Sequence, residues 1–216
     1  MGPPLGQGRL TRSVAWIEDL GRTRLSRHFF LRDFLLSEIG MAHGIANVPR
    51  DPARAIAHGR ALCETLLDPL TETFGRIAIR SGYRAPGLND LGNARGLNCA
   101  ATDNPWETHV WDHPGRVAAC ACVVIPWFAD RAAQGRDWRD LAWWLHDHLP
   151  VSELWFFPRL VAVNITWRPV PLGRIGSYIA PRGLLLRPGA TPAEDAATRR
   201  ARYADFPRFR GLHIPA

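Results

Sequence analysis

Two cysteines on one short apolar run are the residues best suited to chemistry in this chain. Cys120 and Cys122 lie within residues 117–125, whose β-branched content predicts a buried strand. Residues two apart on a strand face the same side, so both sulfur atoms could point into one site. Thiolates bind zinc, but free cysteine is also among the most buried residue types. The run therefore predicts either part of a metal site or two small core residues.

Two histidine pairs are also present, and neither has the arrangement of a metal-binding pair. His109 and His113 are four residues apart, which would suit zinc on a helix, but a Pro-Gly pair follows directly and argues against a helix. His146 and His148 are two apart on a predicted helix, so they point to different faces. Neither pair is expected to bind metal by itself.

The clearest helix covers residues 51–74, where apolar residues recur at spacings of three and four. Asp51 followed by Pro52 marks its start, and Gly75 marks its end. Pro69 predicts a kink near the end, because proline cannot donate the helical hydrogen bond.

Strands dominate after this helix, which favours an α+β fold. Alternation over residues 76–81 predicts a strand. Residues 82–108, rich in glycine, asparagine and proline, predict a long loop that is either functional or disordered. Residues 127–148 have helical spacing that breaks near Gly135, and strands are predicted over 153–157 and 160–167. Trp143 and Trp144 are adjacent in that helix, so one of them is expected to be exposed.

Length and composition limit the classes of protein to which the chain can belong. Its 216 residues, 46% hydrophobic and 22% charged, allow one domain with a sizeable core. No window approaches the roughly 18 apolar residues of a membrane helix, and no apolar signal segment begins the chain. We therefore expect a cytoplasmic protein without a membrane partner. The four cysteines form no Cys-x-x-Cys pair and are expected to be free thiols.

All 27 basic residues are arginine, and the formal net charge is +7. Such a charge gives a general attraction to anionic polymers. The arginines are scattered rather than clustered, and no nucleic-acid recognition motif accompanies them. Non-specific nucleic-acid binding is therefore kept only as a third hypothesis.

The strongest motif follows the predicted strand that ends at Ser81. The run S-G-Y-R-A-P over residues 81–86, followed by Leu88 and Asn89, resembles the S-G-Y-R-S-P-x-L-N signature of the M15 family of zinc D-Ala-D-Ala peptidases. Weaker matches to that family lie in residues 31–37, 44–49, 67–70, 108–109 and 163–167. The resemblance implies a small antiparallel sheet flanked by helices, as in the D-Ala-D-Ala carboxypeptidase (hedgehog-like) fold. It divides the chain into an N-terminal extension (1–28), an M15-like domain (29–187) and a C-terminal tail (188–216) that wraps the surface or frays.

The resemblance also implies a zinc site with three protein ligands and a carboxylate base. His109 takes the position of the first ligand, and Cys122, with Cys120 beside it, takes that of the family aspartate. Asn164 takes the position of the last histidine, but its neutral, hard amide oxygen is a poor zinc ligand. Residues 154–158 hold no carboxylate at the base position, and Glu153 is the nearest.

Arg84 keeps the family arginine, so Arg84, Ser81 and Tyr83 are the implied substrate-binding residues. The alternative role for Arg84 is to pin the long loop, because both roles use the same donors. The leading prediction is a degenerate, non-catalytic M15-like domain without bound metal that binds a peptide or peptidoglycan fragment, or serves as a structural module. The alternative is an active zinc metallopeptidase with altered ligands.

Overall fold

The computed structural model describes residues 13–211, which form an α+β fold. Its helices are α1 (Val14–Gly21), α2 (Glu38–His43), α3 (Pro52–Leu62), α4 (Asp68–Phe74), α5 (Pro86–Ala94), α6 (Pro126–Ala133), α7 (Trp138–His148) and α8 (Ala196–Arg202). Its strands are β1 (Ala78–Ser81), β2 (Ala119–Val124), β3 (Glu153–Phe156), β4 (Val163–Trp167), β5 (Arg174–Ser177) and β6 (Gly183–Leu186). Short 3-10 turns lie at Leu31–Phe34 and Arg159–Val161.

The six strands form one sheet in the order β1-β2-β4-β3-β5-β6. Every neighbouring pair is antiparallel except β3 and β5, so the expectation of an antiparallel sheet is wrong for that pair. Residues 168–173 carry the chain from β4 past the start of β3. The chain then runs back along the far side of β3, antiparallel to β4 and therefore parallel to β3, with Glu153 beside Arg174.

The helix predicted over residues 51–74 is confirmed, with a π-helical turn inside it. Asp51 accepts a hydrogen bond from the backbone N–H of Arg54 at 3.1 Å, and Gly75 ends the helix with a φ of 81°. Between α3 and α4, the N–H of Asp68 donates to the carbonyl of Cys63, five residues back. This wider turn comes directly before Pro69, so the predicted kink takes the form of a π turn. The helical segment, the apolar face of the sheet and α7 enclose the main core.

The long loop predicted over residues 82–108 is wrong in part, because it contains α5. Sequence signals for α5 are weak, since Ala85 at its start makes no side-chain cap and the helix includes Gly87 and Gly92. Pro86 at the first helical position is the one favourable signal.

The expected exposure of Trp143 or Trp144 is also wrong, because both are at most 2% exposed. The C-terminal tail covers them: the Arg199 guanidinium lies 5.5 Å from the Trp143 ring, and Phe209 packs edge-on against Trp144. The described part of the C-terminal tail therefore wraps the surface, which is the first of the two alternatives that the sequence left open for it.

The described part of the N-terminal extension, residues 13–28, contributes to the same core through Leu20 and Leu25. The Ser26 hydroxyl donates to Asp68 at 2.8 Å, which ties this segment to α4. No helix within residues 13–211 is long and apolar enough to cross a membrane.

Candidate functional site

A cavity of about 710 Å³ opens over one face of the sheet. A row of paired residues crosses four strands there: Ser81 on β1 faces Cys122 on β2, which faces Asn164 on β4, which faces Trp155 on β3. All four side chains line the cavity. Its volume falls within the range of about 300–1,000 Å³ that is typical of small-ligand sites.

A second row lies two residues along the same strands and therefore on the same face. Thr166 on β4 is flanked by Cys120 and Glu153, and Glu153 is flanked by Arg174 on β5. Cys120 shares the face of Cys122, as its spacing predicts, but it is 1% exposed and lies outside the cavity lining. The sheet therefore brings only one of the two thiols to the cavity.

His109 lies at the cavity with a defined tautomer. Its Nδ1 is 2.8 Å from the carbonyl oxygen of Gly82 and must therefore carry the hydrogen and donate it. Burial lowers the pKa of His109 to about 3, and the nearby charge of Arg84 adds to the effect. The imidazole is thus neutral at physiological pH.

Cys122 is held as a neutral thiol. Burial raises its pKa to about 11, against the opposing charges of Arg80 and Arg84. Burial raises the pKa of Cys120 still further. A buried thiol that keeps its proton at neutral pH is a poor nucleophile.

The three positions that the M15 resemblance assigns to zinc ligands line one cavity, but their donors do not fit a hydrolytic zinc site. His109, Cys122 and Asn164 all line the cavity, and Cys122 is paired with Asn164 across the sheet. The set offers one imidazole, one protonated thiol and one neutral amide, without the carboxylate and second imidazole that the resemblance implies. Within residues 13–211, no group of three or more His, Cys, Asp or Glu side chains is placed to hold a metal ion.

Arg84 both lines the cavity and holds the loop. Its backbone N–H donates to the carbonyl of His109 at 2.8 Å, and its Nη1 donates to Asn89 Oδ1 at 3.0 Å. The same Nη1 lies 3.9 Å from Glu107 Oε2. The two roles proposed for this arginine are therefore compatible in one geometry.

Glu107 is a cavity residue that the sequence analysis missed. It is 3% exposed, and its Oε1 accepts the backbone N–H of His109 at 2.6 Å. Burial raises its pKa, and the charge of Arg84 opposes this only in part. Its position two residues before His109 in the sequence was the signal from which its place in the cavity could have been predicted.

Ser81 lines the cavity, but Tyr83 does not. Tyr83 is 1% exposed, its hydroxyl donates to Asp112 Oδ1 at 3.1 Å, and its ring packs edge-on against Trp111. Tyr83 therefore supports the Arg84 loop from the core side, and its implied contact with substrate is corrected.

Glu153, the candidate base, lines the cavity and forms an ion pair there with Arg174. Its Oε2 accepts a hydrogen bond from Arg174 Nη1 at 2.6 Å, and burial raises its pKa despite that partner. The Arg174 guanidinium also lies 4.1 Å from the ring centre of Trp106 and 4.9 Å from that of Trp155. Arg174 and Trp106 were not predicted, because only the parallel pairing of β3 with β5 and the folded loop bring them to Glu153.

The comparisons with known proteins add no relative. No family model matches the chain, and no curated protein or solved structure matches it either. The M15 resemblance consequently stays a prediction that rests on its sequence motifs.

Proposed function

We propose that the chain is a non-catalytic binding module on an M15-like scaffold. Its cavity would hold a peptide or cell-wall fragment by a terminal carboxylate. The observation that carries this proposal is Arg84, which lines the cavity beside a neutral imidazole, a neutral thiol and a neutral amide.

Arg84 has the chemistry for this role. A guanidinium has five N–H donors in a planar fork that matches a carboxylate. The bond to Asn89 and the contact with Glu107 both use Nη1, so the fork is oriented while other donors remain. Arg80 also lines the cavity and adds a second positive charge. A carboxylate that entered here would meet two cations and neutral hydrogen-bonding groups, and the Glu107 carboxylate beside Arg84 is already engaged by Arg84 and by the backbone N–H of His109.

The absence of catalysis in this proposal follows from the chemistry of the donors. Peptide hydrolysis at a zinc site needs a metal-bound water and a base to take its proton. Asn164 offers a neutral amide oxygen where the resemblance implies an imidazole, so His109 and Cys122 lack the third strong ligand that a hydrolytic zinc site needs. Glu153 is engaged by Arg174, so the nearest carboxylate to the family's base position is already occupied.

Calorimetric titration tests the proposal. The probes are an N-acetylated peptide that ends in D-Ala-D-Ala with a free carboxylate and the same peptide as its C-terminal amide. A charge-assisted contact is worth about 1.5–3 kcal/mol, so the acid is expected to bind at least about tenfold more tightly than the amide. Arg84→Gln removes this preference, whereas Arg60→Gln, which takes one positive charge from the exposed side of α3, keeps it.

Two outcomes would refute the proposal. Equal affinity for the acid and the amide would show that no carboxylate is recognised. Chromatographic detection of free D-alanine after incubation of the peptide with purified protein would show that the module is catalytic. Thermal denaturation of Arg84→Gln separates loss of binding from loss of the fold.

A further inference from the structure

An aromatic wall lines the cavity on the side of β3 and β5. It consists of Trp106, Trp155 and Tyr178, of which Trp106 is 39% and Tyr178 is 53% exposed. Trp155 and Tyr178 meet edge to face, with ring centres 5.3 Å apart. Exposed aromatic rings beside a cavity are costly to leave in water, and rings that are also held in place indicate a binding surface.

The position of Trp155 depends on a glycine. Gly176 on β5 is its neighbour in the sheet, and a Cβ at residue 176 would overlap the Trp155 ring. The indole therefore lies across the backbone of β5, a placement that any larger residue at 176 would block. The pairing of Trp155 with Gly176 therefore fixes the position of the indole relative to the sheet.

The charges on this side of the cavity cancel. Arg174 stacks on Trp106 and Trp155 and forms its ion pair with Glu153. Because a cation already lies over both indoles, a second cation on the wall would be repelled. An anion would meet the Glu153 carboxylate. The wall therefore favours a neutral ligand that can also use fixed hydrogen-bond donors and acceptors.

A pyranose ring has these properties. Its C–H bonds carry partial positive charge and stack on the negative face of an aromatic ring. Tyr178, the most exposed ring of the wall, offers such a face, whereas Arg174 already lies over Trp106 and Trp155. Its hydroxyl and amide groups can both donate to a carboxylate and accept from a guanidinium. Neither a charged side chain nor a purely apolar chain combines the two.

We infer that the aromatic wall of Trp106, Trp155 and Tyr178 binds a neutral sugar ring, so that the cavity takes a ligand with a sugar at one end and a carboxylate at the other. The inference rests on the proposed function, because it names a second part of the same ligand. The cavity offers a neutral aromatic side near Glu153 and Arg174 and a positive side near Arg84.

The test uses the β-1,4-linked tetramer of N-acetylglucosamine as probe, titrated into the full chain by calorimetry. Wild-type protein is expected to bind it saturably. Tyr178→Ala is expected to weaken binding by about fivefold, the loss that corresponds to one aromatic contact, whereas Tyr178→Phe keeps most of the affinity. Phe30→Ala, which removes a similarly exposed ring outside the cavity lining, is the matched control and leaves the affinity unchanged.

A second variant acts on the wall without removing an aromatic residue. Gly176→Ala places a methyl group against the Trp155 indole, so it is expected to lower the affinity for the tetramer by a similar factor. Gly176→Ala and Tyr178→Ala are each expected to keep the preference for the peptide acid over its amide, because neither substitution changes Arg84. Thermal denaturation of both variants shows that they are folded.

The inference is overturned if wild-type protein shows no saturable binding of the tetramer, or if Tyr178→Ala and Gly176→Ala bind it as tightly as wild type does. The peptide titration reports the proposed function independently. Loss of the acid preference with sugar binding intact would refute the carboxylate site alone, and the reverse result would refute the sugar site alone.

Discussion

The surface under the C-terminal tail and the sheet cavity are built from the same residue types with opposite electrostatic results. In the tail region, Asp147 accepts hydrogen bonds from Arg199 at 3.1 Å and from Tyr203 at 2.8 Å. Burial alone would raise the pKa of Asp147, but these partners together with His146 hold it below its usual value. In the cavity, burial raises the pKa of Glu107 and of Glu153 above the usual value although each has an arginine beside it.

The difference separates a structural network from a candidate site. Around Asp147 the tail network is closed, since this carboxylate gains more from its partners than it loses by burial. For Glu107 and Glu153 in the cavity, burial outweighs the arginine partners and raises the pKa, and such perturbed pKa values are common at functional sites. The variants below test that distinction, from the largest expected effect to the smallest.

The largest effect is expected from the aromatic packing under the tail. Phe206 is 9% exposed, and its ring centre lies 5.1 Å from that of Trp127 and 5.9 Å from that of Phe128. Phe206→Ala leaves a cavity in this cluster and is expected to lower the free energy of unfolding by about 3 kcal/mol. Urea denaturation measures this. A loss below about 0.5 kcal/mol would mean that the tail is not part of the folded core.

The next effect concerns the closed network. Asp147→Asn removes the charge that Arg199 pairs with and is expected to lower the free energy of unfolding by about 2 kcal/mol at pH 7. Because the folded-state pKa of Asp147 lies below its usual value, its contribution is present above the unfolded-state pKa. It is lost as the pH falls through the folded-state pKa, so the wild type and the variant are expected to converge in acid. A difference that does not change with pH would contradict this.

Glu107→Gln is not expected to lower the free energy of unfolding at pH 7, in contrast to Asp147→Asn. The folded state binds the Glu107 proton more tightly than the unfolded state does, so wild-type stability falls as the pH rises above the usual pKa of 4.5. The amide keeps an acceptor for the N–H of His109 without a buried charge. The variant is expected to be as stable as the wild type at pH 7, or more stable by up to about 1 kcal/mol, with a flatter pH profile. A loss comparable to that of Asp147→Asn would erase the contrast between the two regions.

The smallest effect is expected at Cys122. Its pKa of about 11 and its 7% exposure predict slow alkylation by iodoacetamide at pH 7 in the native protein. Mass spectrometry of the alkylated peptides measures the rate, with the urea-unfolded protein as the reference. Modification of Cys122 at the rate of the unfolded chain would show that the thiol is activated and the site is not neutral.

Local signals in the sequence predicted much of the fold. Asp51 and Gly75 defined the long helical segment, Gly135 separated α6 from α7, and the apolar run around Cys122 marked the buried strand β2. Each of these depends on residues close together in the chain. The helix α5 was missed because its glycines and lack of a side-chain cap resemble a loop.

The candidate site was predictable only where a motif marked it. His109, Cys122 and Asn164 were placed by motif position, and the strand register brings two of them opposite each other. Glu107 and Arg174 reach the cavity through loop folding and a parallel strand pairing, which no local pattern encodes. The burial of both Trp143 and Trp144 was missed for the same reason, since the covering residues come from the distant tail.

Zinc content tests the central claim most directly. Wild-type protein and a variant that carries Cys122→Asp and Asn164→His are loaded with zinc, dialysed and measured by elemental analysis, with D-alanine release assayed on the same samples. The account predicts well under one zinc per wild-type chain and no hydrolysis, whereas the double variant gains zinc because an aspartate and a second histidine join His109. One zinc per wild-type chain, accompanied by hydrolysis of the peptide, would contradict it.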